Sequence, residues 1–346
     1  MYMPPNTKLR LDPKDEYTHA PEAVSNYNES MYFNAFDTKA GIGMWVRLGN
    51  RVNEGHAEMT CCVYLPDGKV GFMYGRPKIA NNDAMDAGGM RFEVLEPFKR
   101  LRVTYEGDLL IMTNPHDMAD PSSAFKKYPT RPASISLEFE GASPMHGGEI
   151  LTLDGQPIEV NPETSVYRGH TEQHMAVNGH ITVDGQRFDM RGGTGYRDKS
   201  WGPRHWHSFS WYKWLPVAFD RDFGLLLSIK PKSGRALPVS GNVLRNGVYE
   251  PVIDGRIETD YDEAYFPRGL TAWVTTAQGT YVVKGKILTT VPLRHKKVGS
   301  TDFSTYTRIT ESMSEYTCEG RTVLGMTEYC DVMTNGIPLS VQETTQ

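Results

Sequence analysis

Residues Gly192 to Trp214, GGTGYRDKSWGPRHWHSFSWYKW, hold the densest set of groups in this chain that could do chemistry. Four of its six tryptophans fall here, Trp201, Trp206, Trp211 and Trp214, interleaved with Arg197, Asp198, Lys199, Arg204, His205, His207 and Lys213. Indole walls exclude water, and polar groups left among them act in a low dielectric, where pKa values move and hydrogen bonds strengthen. A mostly apolar lining with a few placed polar groups is the makeup of a ligand pocket. Cation–π packing of arginine and lysine on indoles in a barrel core would use the same residues.

The acid in this stretch is Asp198. If residues 195–201 are extended, Tyr196 and Asp198 share one face while Arg197 and Lys199 point the other way. Its cationic neighbours could hold Asp198 ionised; separated from them on an apolar face, it would have a raised pKa and could act as a general acid. A buried aspartate paired with arginine is the structural alternative. Glu172 is a second carboxylate in reach of the same junction, and a Glu172/Asp198 pair would let one carboxyl be acid and the other base. His205 and His207 alternate onto one face, with His170 and His174 upstream. Such histidines could converge on a metal, but no carboxylate motif accompanies them, and no metal is expected. As acid–base partners or orienters of Asp198 they fit better. No Walker-type lysine context, strand–GxGxxG–helix arrangement or GxSxG elbow is present, so no cofactor is expected and the chemistry would be done by side chains.

These residues need a scaffold, and the pattern of the chain is β throughout. Short runs of β-branched and aromatic residues alternate with tight turns, and no long 3.6-residue stripe appears. Hairpins are expected around Pro66-Asp67-Gly68, Glu106-Gly107-Asp108, Asp184-Gly185, Asn246-Gly247 and Gln278-Gly279. Residues 114–133 carry four prolines and predict a long loop with one helical turn at 122–127, of the kind that often serves as a lid. Many short strands at regular spacing imply an all-β sandwich or barrel, and 346 residues imply two such units. Their junction is expected near residues 170–190, with residues 1–24 as an arm over the first unit. The boundaries are drawn as 25–175 and 176–346.

Composition narrows the partners. A net charge of -5 with dispersed lysines and arginines leaves no basic surface for nucleic acid. No apolar run is long enough to span a membrane. The amino-terminal segment has no apolar h-region, which predicts a cytoplasmic protein. Four cysteines, two of them adjacent at Cys61 and Cys62, do not form a disulfide framework, and Cys318 and Cys330 are expected as buried thiols on two strands. The expected partner is an apolar small molecule, and the expected assembly a monomer or homodimer.

TEQHMAVNGHITVDG at 171–185, followed by GTGYRDKSWGPRHW at 193–206, resembles the signature of the carotenoid 1,2-hydratase (hydroxyneurosporene synthase-type) and AttH-like superfamily. ESMYFNAFDTKAGIGMWVRLGN at 29–50 and GMTEY at 325–329 resemble the flanking pieces of the same group. The resemblance implies two tandem lipocalin-like antiparallel β-barrels, with the motif where the second begins. It also implies cofactor-free catalysis on long apolar polyenes, in which an aspartate protonates an alkene and water captures the cation. Fungal phytoalexin hydratases and lipocalin-like cyclases are similar. The matching positions are Tyr196 and Asp198, with Trp201 and Gly202 completing the motif. Lys199 stands where the motif has histidine, and His170, Glu172 and His174 are a loose counterpart of its upstream His/Trp element.

The expectation is therefore a hydratase, dehydratase or isomerase of a terpenoid, polyene or ring-type molecule. Asp198 would be the acid, with Tyr196, Glu172 and His174 or His205 as proton partners. Trp201, Trp206, Trp211, Trp214, Lys199, Arg204 and His170 would contact the substrate. A carrier of an apolar ligand without chemistry, or a pericyclase-type enzyme, are the alternatives on the same fold.

Overall fold

The computed structural model describes residues 6–205, 209–232, 235–236, 239–296 and 305–344. It is all-β, two tandem lipocalin-like antiparallel β-barrels. The first unit opens with β1 (Thr7–Arg10), β2 (Tyr27–Asp37), β3 (Ile42–Arg51), β4 (His56–Tyr64) and β5 (Val70–Gly75). It continues with β6 (Met85–Ala87), β7 (Met90–Glu96), β8 (Arg100–Met112) and β9 (Thr130–Gly141). Its last strands are β10 (His146–Thr152), β11 (Gly169–Val183) and β12 (Gln186–Pro203). Because β9 pairs both β11 and β8, the strands β9, β11, β12, β2, β3, β4, β5 and β8 close into a ring, which removes the sheet's free edges.

Phe33 on β2 meets Phe92 on β7 and Phe139 on β9, each at 4.9 Å between ring centres. Contacts across strands so far apart in the sheet mark this face as the barrel interior. Directly opposed residues of an antiparallel ladder share a face. Arg197, opposite Phe33, and Gln173, opposite Arg197, therefore point inward. The arm covers this end of the interior. β1 pairs β10, and the 3₁₀ turn Pro13–Glu16 sinks Asp15 and Glu16 to 1% exposure.

The strand order relocates the junction. β11 and β12 run unbroken through residues 170–190, and the motif strand lies between β11 and β2 of the first sheet. The chain enters the second unit at Phe209, not at 175–176. The turn at Asp184-Gly185, as expected, is a two-residue hairpin inside one sheet, with φ of 50° and 77°, the geometry of a type I′ turn. The turn expected at Glu106-Gly107-Asp108 is instead the middle of β8. There the Tyr105 ring folds over Gly107 and its hydroxyl donates to Asp108 O at 2.9 Å, and a Cβ on Gly107 would meet that hydroxyl at 2.6 Å.

The second unit comprises β13 (Trp211–Ala218), β14 (Phe223–Ile229), the short pair β15 (Pro231–Lys232) and β16 (Arg235–Ala236), and β17 (Ser240–Arg245). Next come β18 (Val248–Pro251), β19 (Asp254–Tyr261), β20 (Pro267–Thr275) and β21 (Thr280–Lys296). β22 (Thr305–Cys318), β23 (Arg321–Thr334), β24 (Ile337–Pro338) and α2 (Leu339–Thr344) end it. Leu215, Val217, Phe223, Leu225, Val274 and Tyr316 belong to its apolar interior. Lys213 enters that interior among Thr259, Tyr261 and Tyr329, donating to Thr259 Oγ1 at 2.8 Å, and burial lowers its amine to about 8. Residues 112–129, with a 3₁₀ turn at Pro115–Ala119 and α1 (Pro121–Lys127), also belong to the second unit. His116 packs on Phe266 there, 4.5 Å between ring centres.

All four cysteines are buried and free, and among the described residues no helix is long and apolar enough to cross a membrane. The Trp-Gly pair of the motif has a steric basis. Gly202 sits at φ 111°, and a Cβ there would meet Arg168 N at 2.6 Å, whose N–H donates to Trp201 O at 2.7 Å. Gly202→Ala is therefore expected to cost about 2–4 kcal/mol through strain and overpacking. Thermal denaturation should show a midpoint lower by roughly 5–15 °C; an unchanged midpoint would count against this packing.

Candidate functional site

The hairpin β11–β12 builds the site by register. Near the turn, Val183 opposes Gln186 and Asn178 opposes Arg191. An irregularity after Val177 then leaves Gly192 outside the ladder at φ 71°, its N–H donated to Asn178 Oδ1 at 2.9 Å. That single extra residue is a β-bulge and shifts every later pair by one. Glu172 thus opposes Asp198, His170 opposes Ser200 and His174 opposes Tyr196. Without the bulge, Glu172 would face Arg197. β2 supplies Tyr32 opposite Asp198 and Asn34 opposite Tyr196, and β10 brings His146 opposite Glu172.

Asp198, Tyr196, Glu172, His170, His174 and Tyr32 lie on the outward face of the first barrel, opposite the Phe33 interior. His170 Nε2 is hydrogen-bonded to Asp198 Oδ2. The ligating atoms of His170, Glu172 and Asp198 lie within 4.8 Å of one another. Side chains of His170 and Asp198 remain 18% and 24% exposed, enough for a ligand to reach them, while Glu172, His174 and Tyr196 are buried. Tyr167 stacks on His170 at 4.8 Å, and the Tyr196 ring meets His174 edge-on at 4.8 Å. Tyr32 stacks on Trp45, which packs on Phe72.

Electrostatics fix where the proton rests. Desolvation pushes the Asp198 carboxyl up, but the His170 charge and hydrogen bond, with Arg204 and Arg47 beyond, outweigh it and hold the group below its ordinary value. For His170, desolvation acts downward, and Asp198 and Glu172 together overcome it and raise the imidazole above 6.5. Both shifts favour the carboxylate form of Asp198 and the imidazolium form of His170. The raised Asp198 pKa expected on an apolar face is thereby corrected: Arg197 and Lys199 do point away, but His170 replaces them. His146, held down to about 4 by burial and by the charge of His170, stays neutral beside it. Burial lifts the Tyr167 phenol to about 12.

Those two cations find other carboxylates on the inward face. Arg197 binds Glu16 through both Nη atoms at 2.5 and 2.7 Å, and Lys199 Nζ donates to Glu29 at 2.5 Å. Trp201 lies on that same face, stacked on His19 at 4.4 Å with Lys199 over its ring at 4.9 Å. Neither Trp201 nor Lys199 is on the Asp198 face, because odd and even positions of β12 point oppositely. Arg204 and His205 follow the end of β12, held by backbone bonds to Asn26 and Ser165. Trp211 and Trp214 belong to β13 of the second unit. Trp206 lies outside the described residues, as does His207.

The aromatic residues around the pair are instead Tyr32, opposite Asp198 with Trp45 stacked on it, and Tyr167, stacked on His170, with His146 as an additional imidazole. Tyr32 and Trp45 sit on β2 and β3 in the run of residues 29–50, and nothing local ties that run to Asp198. A divalent cation could use the His170, Glu172 and Asp198 donors. It would have to separate His170 from Asp198, which now satisfy each other directly.

Similarity to solved structures shows the fold. An AttH-like protein of Nitrosomonas europaea superposes with a TM-score of 0.60 at 11% identity, covering 95% of this chain and 98% of that one. Kievitone hydratase from Nectria haematococca gives 0.52 at 10% identity, over 90% and 91% of the two chains. CghA with Sch210972 gives 0.51 at 11% identity, over 95% and 97%. No curated protein matches the sequence. A family profile described as a domain of unknown function (DUF7064) matches residues 12–333, nearly the whole folded chain, and this protein belongs to that family.

Proposed function

We propose that this protein is a cofactor-independent hydratase or dehydratase, working on an apolar, terpenoid- or polyene-type small molecule through the His170–Asp198 pair. The observation that carries the reading is that one hydrogen-bonded, partly exposed acid–base pair stands beside a second carboxylate, Glu172, on an aromatic face. One neighbour in fold is named a hydratase, and the Tyr196-x-Asp198 resemblance points to the same class of chemistry.

The pair holds one transferable proton. At rest it sits on His170, where water stabilises the ion pair. An apolar substrate displaces that water, and a low dielectric disfavours the charged form of the pair relative to the neutral one. The proton then returns to Asp198, which becomes a carboxylic acid next to the alkene. Transfer of that proton to one alkene carbon leaves a carbocation at the other, stabilised by the π faces of Tyr32 and Tyr167. Water adds to the cation, and its surplus proton passes to the Glu172 carboxylate and from there back to the His170–Asp198 pair, within 4.8 Å, which restores the resting state. The sum is alkene plus water giving alcohol, and dehydration is the same path reversed.

The test is to identify by native mass spectrometry and extraction any apolar molecule that co-purifies, then to incubate it with wild type and Asp198→Asn. A gain or loss of one water with wild type alone supports the reading. Changed retention without changed mass would indicate an isomerase or cyclase. Binding without conversion by either protein would make the chain a carrier and overturn the catalytic assignment.

A further inference from the structure

The second barrel has a buried carboxyl pair of its own. Glu311 on β22 stands directly opposite Glu328 on β23, and Glu328 opposes Trp214 on its other edge. These side chains are on the outward face, since Leu215, Val217, Tyr316 and Tyr329 of the same strands fill the interior. The Tyr212 hydroxyl donates to Glu328 Oε1. Glu311 is only 5% exposed, and its Oε2 has no hydrogen-bond partner among the described residues. No lysine, arginine or histidine is paired with Glu311 there.

The surroundings are apolar. Val291 opposes Glu311 from β21, Met313 opposes Met326 one rung along, and Ile309 opposes Cys330 one rung the other way. Among the described residues, the titratable groups nearest Glu311 on this face besides Glu328 are Tyr212 and Cys330, both kept neutral by burial. Farther along lie His295 on β21 and the Glu315–Lys286 rung. Two carboxylates held this close in a low dielectric do not both ionise. Desolvation, with Glu328 beside it, lifts Glu311 well above its ordinary value. A buried carboxyl oxygen without a hydrogen-bond partner costs free energy, which a ligand that supplies the partner would recover.

We propose that Glu311, Glu328 and Tyr212 form a second proton-donating site, which binds the carbonyl or hydroxyl oxygen of an apolar small molecule. Glu311 donates the hydrogen bond to that oxygen, Glu328 balances the donor as its ionised partner, and Trp214, Met313 and Met326 flank the carbon skeleton. The inference stands apart from the reading of Asp198.

The probe is β-ionone, an apolar ketone, titrated into the full chain while infrared difference spectra and tryptophan fluorescence are followed. Wild type at neutral pH is expected to show a protonated-carboxyl band that disappears in Glu311→Gln and persists in Asp198→Asn. On binding, the ketone carbonyl band should move to lower frequency, and affinity should fall as pH rises and the shared proton is lost. Glu311→Gln, which keeps a neutral donor, should bind without that pH dependence. Glu311→Leu, which fills the same apolar space, should bind roughly fivefold more weakly, the worth of one hydrogen bond. Absence of the protonated band, equal binding by wild type and Glu311→Leu, or no binding by wild type would each overturn the proposal. Because the band is read without turnover, its absence leaves the Asp198 reading standing, and failure of Asp198→Asn to change turnover leaves this one standing.

Discussion

Asp198→Asn is expected to lower turnover by about 10²–10⁴-fold, equivalent to roughly 3–5 kcal/mol of transition-state stabilisation, with little change in ligand affinity. The amide keeps the shape of the carboxyl and can still accept from His170, so the strand pairing with Glu172 and Tyr32 persists. It cannot carry the proton. His170→Gln should lose a similar amount, because the two groups hold one proton between them, and the double variant should be little worse than either single one. Matched binding curves with turnover within a few-fold of wild type would remove Asp198 from the chemistry. Additive losses would mean that the two residues act separately.

The same pair sets a pH window. The His170 value is raised, so the proton is fully held below the ordinary imidazole range and is lost only as pH climbs through the raised value. The Asp198 value is lowered, so its charge persists above the ordinary carboxylate range and is lost as pH falls through the lowered one. Turnover should therefore hold up to the raised His170 value, above 6.5, and fall beyond it, while the ion pair itself persists down to a pH below 3.8. Stability contributed by the ion pair follows the same two limits. Asp198→Asn removes the partner that raised His170, so any residual alkaline limb should move to lower pH.

Alternation along residues 195–201 was enough to put Tyr196 and Asp198 on one face and Arg197 and Lys199 on the other. What each face meets was not legible, because the partners are remote. Arg197 pairs with Glu16 across 181 positions and Lys199 with Glu29 across 170. His170 and Asp198 are only 28 apart, yet their meeting depends on the bulge at Gly192, and a ladder counted straight from the Asp184-Gly185 turn would put Glu172 against Arg197. The β pattern and the two-unit architecture were visible in strand-length runs and turn residues. The junction was not, since a long hairpin inside one sheet and a connection between sheets have the same local signature. Trp201 was expected to face substrate because indoles favour pockets. Its odd position on β12 sends it inward, against His19 of an arm whose composition is merely polar.

That arm makes the second large expectation. Glu29 is buried with 0% exposure and accepts from Lys199 Nζ at 2.5 Å, the His19 backbone N–H at 2.7 Å, Asn82 Nδ2 at 2.7 Å and the Tyr27 hydroxyl at 3.1 Å, with His19 Nδ1 at 2.8 Å. Removing it as Glu29→Ala leaves the Lys199 ammonium buried at 1% exposure without its carboxylate, a loss of about 3–5 kcal/mol. Glu29→Ala combined with Lys199→Met should recover much of that loss, because the methionine stem fills the space without a charge to desolvate. The acid behaviour of the wild type follows from the same group. Burial acts to raise the Glu29 carboxyl, and Lys199 and His19 overcome it and hold it down to about 2. Its stabilisation is complete above the ordinary glutamate value and drains away as pH falls toward 2, so the variant should show a flatter loss of stability below pH 4.5 than the wild type. Chemical denaturation across that range measures both effects. A Glu29→Ala protein as stable as wild type, or one with an unchanged acid slope, would mean that Lys199 finds solvent or another carboxylate and that the arm is not held through this contact.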